Sequence, residues 1–187
     1  MFEKIRADYK RHRSLRNPAF WLMAVYRFGR WSRGLSWPVR NVCSAAYGAM
    51  LTSSDFVLGT TLHRETTIGD GFHIIHADSI RIDPNAVIGN RVGIMQGVTI
   101  GTTPDRAGVP VIGDDVFIGA GARILGPVRV GDRARIAANS LVLNDVPADT
   151  TAIGVPARVL RYTGRPGAPS ENPEAAVASK RDGSDRS

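Results

Sequence analysis

The chain has one cysteine in 187 residues, Cys43. An internal disulfide framework is therefore excluded, and the cysteine usage fits a reducing compartment. There is no uncharged apolar run of the roughly 18 residues that a membrane-spanning helix needs. The first twenty residues are rich in Lys and Arg and lack the apolar core of a secretory signal, so a cytoplasmic location is expected. Large apolar residues are also almost absent from residues 162–187, which are rich in Pro, Gly, Ser and charge and read as a disordered tail.

What is there is unevenly distributed. The net charge is +7, yet residues 1–40 alone carry ten Lys/Arg against two Asp/Glu. The body is close to neutral, which argues against nucleic acid as a partner. Residues 1–58 read as a basic helical segment. Trp21, Ala24, Val25, Phe28 and Trp31 recur at three- and four-residue spacing and share one helix face, expected to be core or subunit contact. Arg27, Arg30 and Arg33 fall on another face. Asn17-Pro18 has the form of a cap followed by a first-turn proline, while Gly34 and Pro38 mark breaks. A basic, aromatic segment of this kind is also suited to peripheral contact with a membrane surface.

Residues 59–161 repeat with a period of six. Ile88, Ile94 and Ile100 are six apart, as are Ile112, Ile118, Ile124, Val130, Ile136 and Val142. Glycine follows the aliphatic residue at Gly69, Gly89, Gly101, Gly113, Gly119 and Gly131, where it is expected to permit the corner conformation. Ala or Val recurs four places after the aliphatic residue, at Ala86, Val92, Val98, Val116, Ala122, Val128 and Ala134. A period of six fits neither a helix nor a half-buried strand. It fits a parallel β-helix in which each hexad forms one flat face and the aliphatic residues stack from coil to coil. About a dozen hexads predict roughly four coils. A β-sandwich with chance spacing does not explain six consecutive in-phase matches.

The register breaks twice. Ile68, Ile74 and Ile80 are in phase, but Ile80 to Ile88 spans eight residues, so two residues are inserted directly after His76. The second break is residues 102–111, whose Pro, Gly and Asp predict a projecting loop. Breaks in a regular scaffold are where function is placed. Three of the four histidines, His63, His73 and His76, surround the first break. A metal-dependent hydratase would need three histidines converging on one ion. The spacing of 10 and 3, with no histidine in later coils, does not suit that, and no metal is expected. A non-enzymatic scaffold would leave the break at His76 unexplained.

The motifs Gly97-Val-Thr-Ile-Gly101, Val111 to Gly126 and Gly154 to Leu160 together resemble the serine acetyltransferase group of hexapeptide-repeat acyltransferases, from about Thr60 to Arg161. The basic N-terminus resembles the short members associated with exopolysaccharide synthesis. The resemblance implies a left-handed β-helix, a homotrimer or dimer of trimers, and acetyl-CoA as cosubstrate in a groove between neighbouring prisms. It places the catalytic base at His76 and leaves His73 as packing. It places coenzyme A contacts at Gly101, Thr102, Ala120, Arg135, Ala138 and Arg158; the group usually has Gly where this chain has Thr102. Arg106 is a further candidate at the acceptor. Three acceptor-side positions differ from serine-specific members, with Thr61 and Ile75 where those have Asp and Val109 where those have His. Asp78 is a candidate to orient His76 instead. The expected reaction is transfer of acetyl to a hydroxyl, with a sugar of a cell-surface polysaccharide or its precursor favoured and L-serine as the alternative.

Overall fold

The computed structural model describes residues 17–160. The disordered tail expected at 162–187 lies outside the described residues. Helix α1 (Pro18–Ser32) starts at Asn17, whose side chain accepts a 3.0 Å hydrogen bond from the Ala19 N–H, as the Asn-Pro pair predicts. Helix α2 (Trp37–Leu58) has Pro38 in its first turn and ends at Gly59, which takes the left-handed conformation (φ 61°) that suits a glycine cap. Pro38 thus opens a helix rather than breaking one, and the break falls at residues 33–36.

The face of α1 that packs inward is not the aromatic stripe. Ala19, Leu22, Met23 and Tyr26 are buried, whereas Trp21 and Trp31 are 57% and 43% exposed. Arg27, expected on a solvated face, is buried and donates to the Gly69 carbonyl at 3.4 Å. The reason is that α1 lies on the first coil of the β-domain. Tyr26 offers a hydroxyl that reaches the Thr66 carbonyl at 2.8 Å, and a neutral donor tolerates that burial.

From Thr60 onward the chain winds as a parallel β-helix. Its first face stacks β1 (Thr61–Leu62), β4 (Arg81–Ile82), β7 (Thr99–Gly101), β10 (Arg123–Leu125) and β13 (Leu141–Val142). The second stacks β2 (Thr67–Ile68), β5 (Val87–Ile88), β8 (Val111–Ile112) and β11 (Arg129–Val130). The third stacks β3 (His73–Ile74), β6 (Gly93–Ile94), β9 (Phe117–Ile118), β12 (Arg135–Ile136) and β14 (Thr151–Ile153), closed by antiparallel β15 (Arg158–Leu160). The fifth coil is completed on the second face by a bridge from Val146 to Val130, one coil more than the hexad count predicts.

The core is three ladders of aliphatic side chains. Leu62, Ile82, Ile100, Ile124 and Val142 form one, and all are buried. Ile68, Ile88, Ile112 and Val130 form the second. Ile74, Ile94, Ile118, Ile136 and Ala152 form the third. The Ala and Val residues four places on are all buried at the corners. Ile80 is not in the ladder phase that its spacing from Ile68 and Ile74 predicts. Ile82 is the partner of Leu62, and Ile80 fills the corner that Val98 fills in the next coil.

Nor do the repeating glycines supply the turn conformation. A Cβ on Gly69 would stand 2.6 Å from the Gly89 carbonyl oxygen, and one on Gly89 would stand 2.6 Å from that of Gly113. These glycines permit close stacking of coils. The positive φ falls two residues later, at Gly71 (71°), Arg91 (55°), Asp115 (57°) and Arg133 (59°). Bidentate pairs hold those corners: Arg91 binds both carboxylate oxygens of Asp115 (2.7 and 2.6 Å), and Arg133 binds those of Asp149 (2.6 and 2.7 Å).

Candidate active site

The edge between the third and first faces is a column of equivalent positions. The Gly97 N–H donates to the Asp78 carbonyl, Gly121 to Gln96, and Asn139 to Ala120. Asp78, Gln96, Ala120 and Ala138 therefore stand one above another. The preceding positions match as well: Ile75 donates to the Ile94 carbonyl, as Met95 does to Ile118 and Gly119 to Ile136. Later coils pass directly from Met95 to Gln96 and from Gly119 to Ala120. The first coil instead inserts His76 and Ala77 between Ile75 and Asp78. The inserted pair is therefore His76-Ala77 itself, rather than two residues after His76.

Ala77 turns inward and is buried. His76 is exposed on the edge. The bulge is held from the start of the first coil. The Thr60 hydroxyl donates to the Ala77 carbonyl at 2.9 Å and accepts from the Ile80 N–H at 3.1 Å. Thr60 is fully buried. No hydrogen bond joins the His76 imidazole to Asp78 or to any other described residue. His73 lies away from the bulge, on the third face, in line with Gly93, Phe117 and Arg135. His63 follows β1 at the corner between the first and second faces. The three histidines thus occupy three separate parts of the first coil.

The sequence-predicted residues form two groups on two edges. Ile75, His76, Asp78, Ala120 and Ala138 share the edge just described. Gly101, Thr102, Arg106 and Val109 lie at the edge between the first and second faces, where Gly101 pairs with Leu125. Thr61 is half-buried on the first face between those edges. The loop of residues 102–110 does not project as expected. It folds along its edge: the Arg106 guanidinium donates to the Leu143 carbonyl at 2.7 Å, and a Cβ on Gly108 would stand 2.7 Å from the Pro127 Cβ. Arg106 thus secures the loop to the fifth coil. Arg135 lies over the Phe117 ring at 5.2 Å on the third face, and Arg158 is exposed on β15.

Gln96 belongs beside these residues and was not singled out from the sequence. It stands directly below Asp78, and its Oε1 is buried without a hydrogen-bond partner among the described residues. Buried polar atoms are normally paired, so Gln96 is a further candidate beside the bulge. Its one sequence signal is a long amide at a position where later coils place alanine, at Ala120 and Ala138.

Residues 110–144 match the bacterial transferase hexapeptide family, described as six repeats. The serine acetyltransferase of Synechococcus elongatus is 32% identical over 178 residues, an alignment covering 88% of this chain and 70% of that protein. The chain belongs to the serine acetyltransferase group of hexapeptide-repeat transferases. The group is represented among solved structures by the Neisseria gonorrhoeae serine acetyltransferase in complex with serine, with a TM-score of 0.71, 30% identity and coverage of 85% of this chain and 68% of that one. A serine acetyltransferase in complex with CoA has a TM-score of 0.69 and 33% identity, covering 84% of this chain and 68% of that one. The alignment with the Bacillus subtilis serine acetyltransferase, 41% identical over 114 residues, covers 60% of this chain and 52% of that protein. Among the described residues, no helix is long and apolar enough to cross a membrane.

Proposed function

We propose that the chain is an acetyl-CoA-dependent O-acetyltransferase with His76 as general base. The observation that carries this reading is the His76-Ala77 bulge at the head of an edge whose second coil presents Gln96 and whose next two coils present Ala120 and Ala138. An imidazole there stands at the head of a track that runs along the edge past Gln96 to the small side chains of Ala120 and Ala138. Three coil steps separate Asp78 from Ala138, roughly 14 Å at the usual interstrand spacing. Such a track lets an extended thioester lie against the backbone with its acyl end towards His76. A neutral imidazole takes the acceptor hydroxyl proton as the oxygen bonds to the acetyl carbon. Collapse of the tetrahedral oxyanion breaks the C–S bond, and the imidazolium returns the proton to the departing thiolate. No acyl-enzyme is required.

For the acceptor, the names of the relatives support L-serine, and nothing among them supports a polysaccharide sugar. L-serine is therefore the first reading. One observation favours a sugar hydroxyl as the second: Thr61, Ile75 and Val109 bring no charge to the candidate acceptor site, and a buried ammonium without a countercharge is costly. Thiol release from acetyl-CoA with L-serine, and with nucleotide sugars or glycans, tests both. Saturable turnover of L-serine at kcat/KM near about 10⁴ M⁻¹s⁻¹ or above supports the first reading. Turnover confined to sugars supports the second, and no thiol release with either overturns the enzymatic reading.

The assembly belongs to the same proposal. The two residue groups lie on different edges of one prism and do not meet within a chain. A homotrimer, or a dimer of trimers, would bring the His76 edge of one chain against the Gly101 edge of the next.

A further inference from the structure

The proposed chemistry uses nothing on the outer side of the helical hairpin, yet large apolar residues are displayed there. Phe56 is 92% exposed, Val57 73%, Val42 71% and Trp37 70%. Trp21 and Trp31 are also exposed, and Trp21, Val25, Met50 and Val57 line an open apolar groove between α1 and α2. Apolar residues of this size, gathered on one hairpin, mark a contact surface.

We propose that this hairpin docks peripherally on an anionic lipid surface. Charge selects that partner. Exposed Arg33 and Arg40 interleave with Trp31 and Trp37 around the turn between the helices, while Arg30 donates to the Thr66 carbonyl at 3.2 Å. From residue 17 to residue 64 the sole acidic residue is Asp55, and it is held by Arg81 at 3.0 Å. In sequence, residues 1–16 add six Lys/Arg against two acids. A second copy of the same face would bring these cations together with no acid between them. Anionic headgroups would neutralise them while the tryptophans occupy the headgroup boundary, where their amphipathic rings are favoured. The contact is interfacial, because neither helix is long and apolar enough to span.

The test is co-sedimentation of the full chain with phosphatidylglycerol vesicles and with phosphatidylcholine vesicles, at low and high salt. Binding to phosphatidylglycerol that weakens with salt, with little binding to phosphatidylcholine, is expected. Arg33→Gln/Arg40→Gln lowers partitioning by roughly 25-fold, since each cation near an anionic surface contributes roughly a factor of five. Trp37→Ser/Phe56→Ser lowers it with no change in melting temperature, because both side chains are exposed. The proposal is overturned if the chain binds neither vesicle, or binds both equally. It is also overturned if Trp37→Ser/Phe56→Ser leaves vesicle binding intact and instead splits a larger assembly into smaller ones, which would identify the face as a contact between copies.

Discussion

Thr60 holds Ala77: its buried hydroxyl donates to the Ala77 carbonyl at 2.9 Å and takes the Ile80 N–H at 3.1 Å. Both bonds belong to the loop that displays His76. Thr60→Val keeps the shape but leaves the Ala77 carbonyl and the Ile80 N–H unpaired, at a cost of about 1–3 kcal/mol each. The expected outcome is a lower melting temperature together with a fall in kcat larger than any change in KM for acetyl-CoA. Thr60→Ser restores both. If Thr60→Val loses stability alone, with kcat intact among folded molecules, the bulge does not set the base.

His76 and His73 separate the catalytic role from packing. His76→Ala is expected to lower kcat by about 10²–10⁴ with acetyl-CoA binding retained. His73→Ala, on the third face, is expected to cost much less. Steady-state kinetics with calorimetric CoA titration distinguish the two, and a reversed order would move the base to His73.

The six-residue period exposed the stacked core because burial on all three faces demands the same aliphatic residue at each turn. The phase slipped at Ile80 for a physical reason. Isoleucine suits both the ladder and the corner, so Ile68, Ile74 and Ile80 read as one series although the bulge had already shifted the chain by two. The role of the glycines was equally illegible, since a tight corner and a close coil-to-coil approach select the same residue. The α1 stripe misled because helical periodicity shows that a face exists without showing which face is covered. Trp21 and Trp31 define the apolar stripe, while Tyr26 and Met23 meet the β-domain.

Stability rests on the ladders and on the glycine stack in different ways. Ile118→Ala, in the middle of the third ladder, is expected to cost about 2–5 kcal/mol by cavity formation. Gly119→Ala adds a single methyl, but its Cβ would stand 2.6 Å from the Ala138 N–H nitrogen. It should cost about 1–3 kcal/mol by forcing coils apart. It also narrows the proposed track, so CoA affinity should fall beyond what the stability loss explains. Denaturant melts and CoA titrations check both variants.

Burial raises the hydroxyl pKa of Tyr26, and likewise that of Tyr47 where the hairpin meets the first coil, although neighbouring arginines oppose the shift. The unfolded chain therefore gives up these protons first. Their contribution to stability is complete below about pH 10, the unfolded tyrosine value, and is lost as pH rises from there through the folded values. Chemical denaturation between pH 8 and 11, as a range set by that tyrosine value, should show a decline that Tyr26→Phe/Tyr47→Phe reduces. A pH-independent profile over that range would mean that the hydroxyls are not held neutral by burial.

The placement of His76 and Gly101 on different edges of one prism makes subunit complementation the decisive test of assembly. A cyclic trimer repeats one heterologous interface, so each site would take its His76 edge from one chain and its Gly101 edge from the neighbour. His76→Ala damages the first edge. Gly101→Trp damages the second, and a side chain is sterically admissible there because a Cβ on Gly101 meets nothing within 4 Å. Each variant alone should form inactive trimers. Refolded together in equal amounts, they should regain about a quarter of wild-type activity, since a site is intact only when its His76 edge comes from the Gly101→Trp chain and its Gly101 edge from the His76→Ala chain. The readout is thiol release at constant total protein, with assembly size followed by light scattering. Recovered activity in trimer-sized particles would establish a shared site. Mixed trimers without activity, or an active monomer of the unmodified chain, would place the whole site within one prism and refute the shared groove.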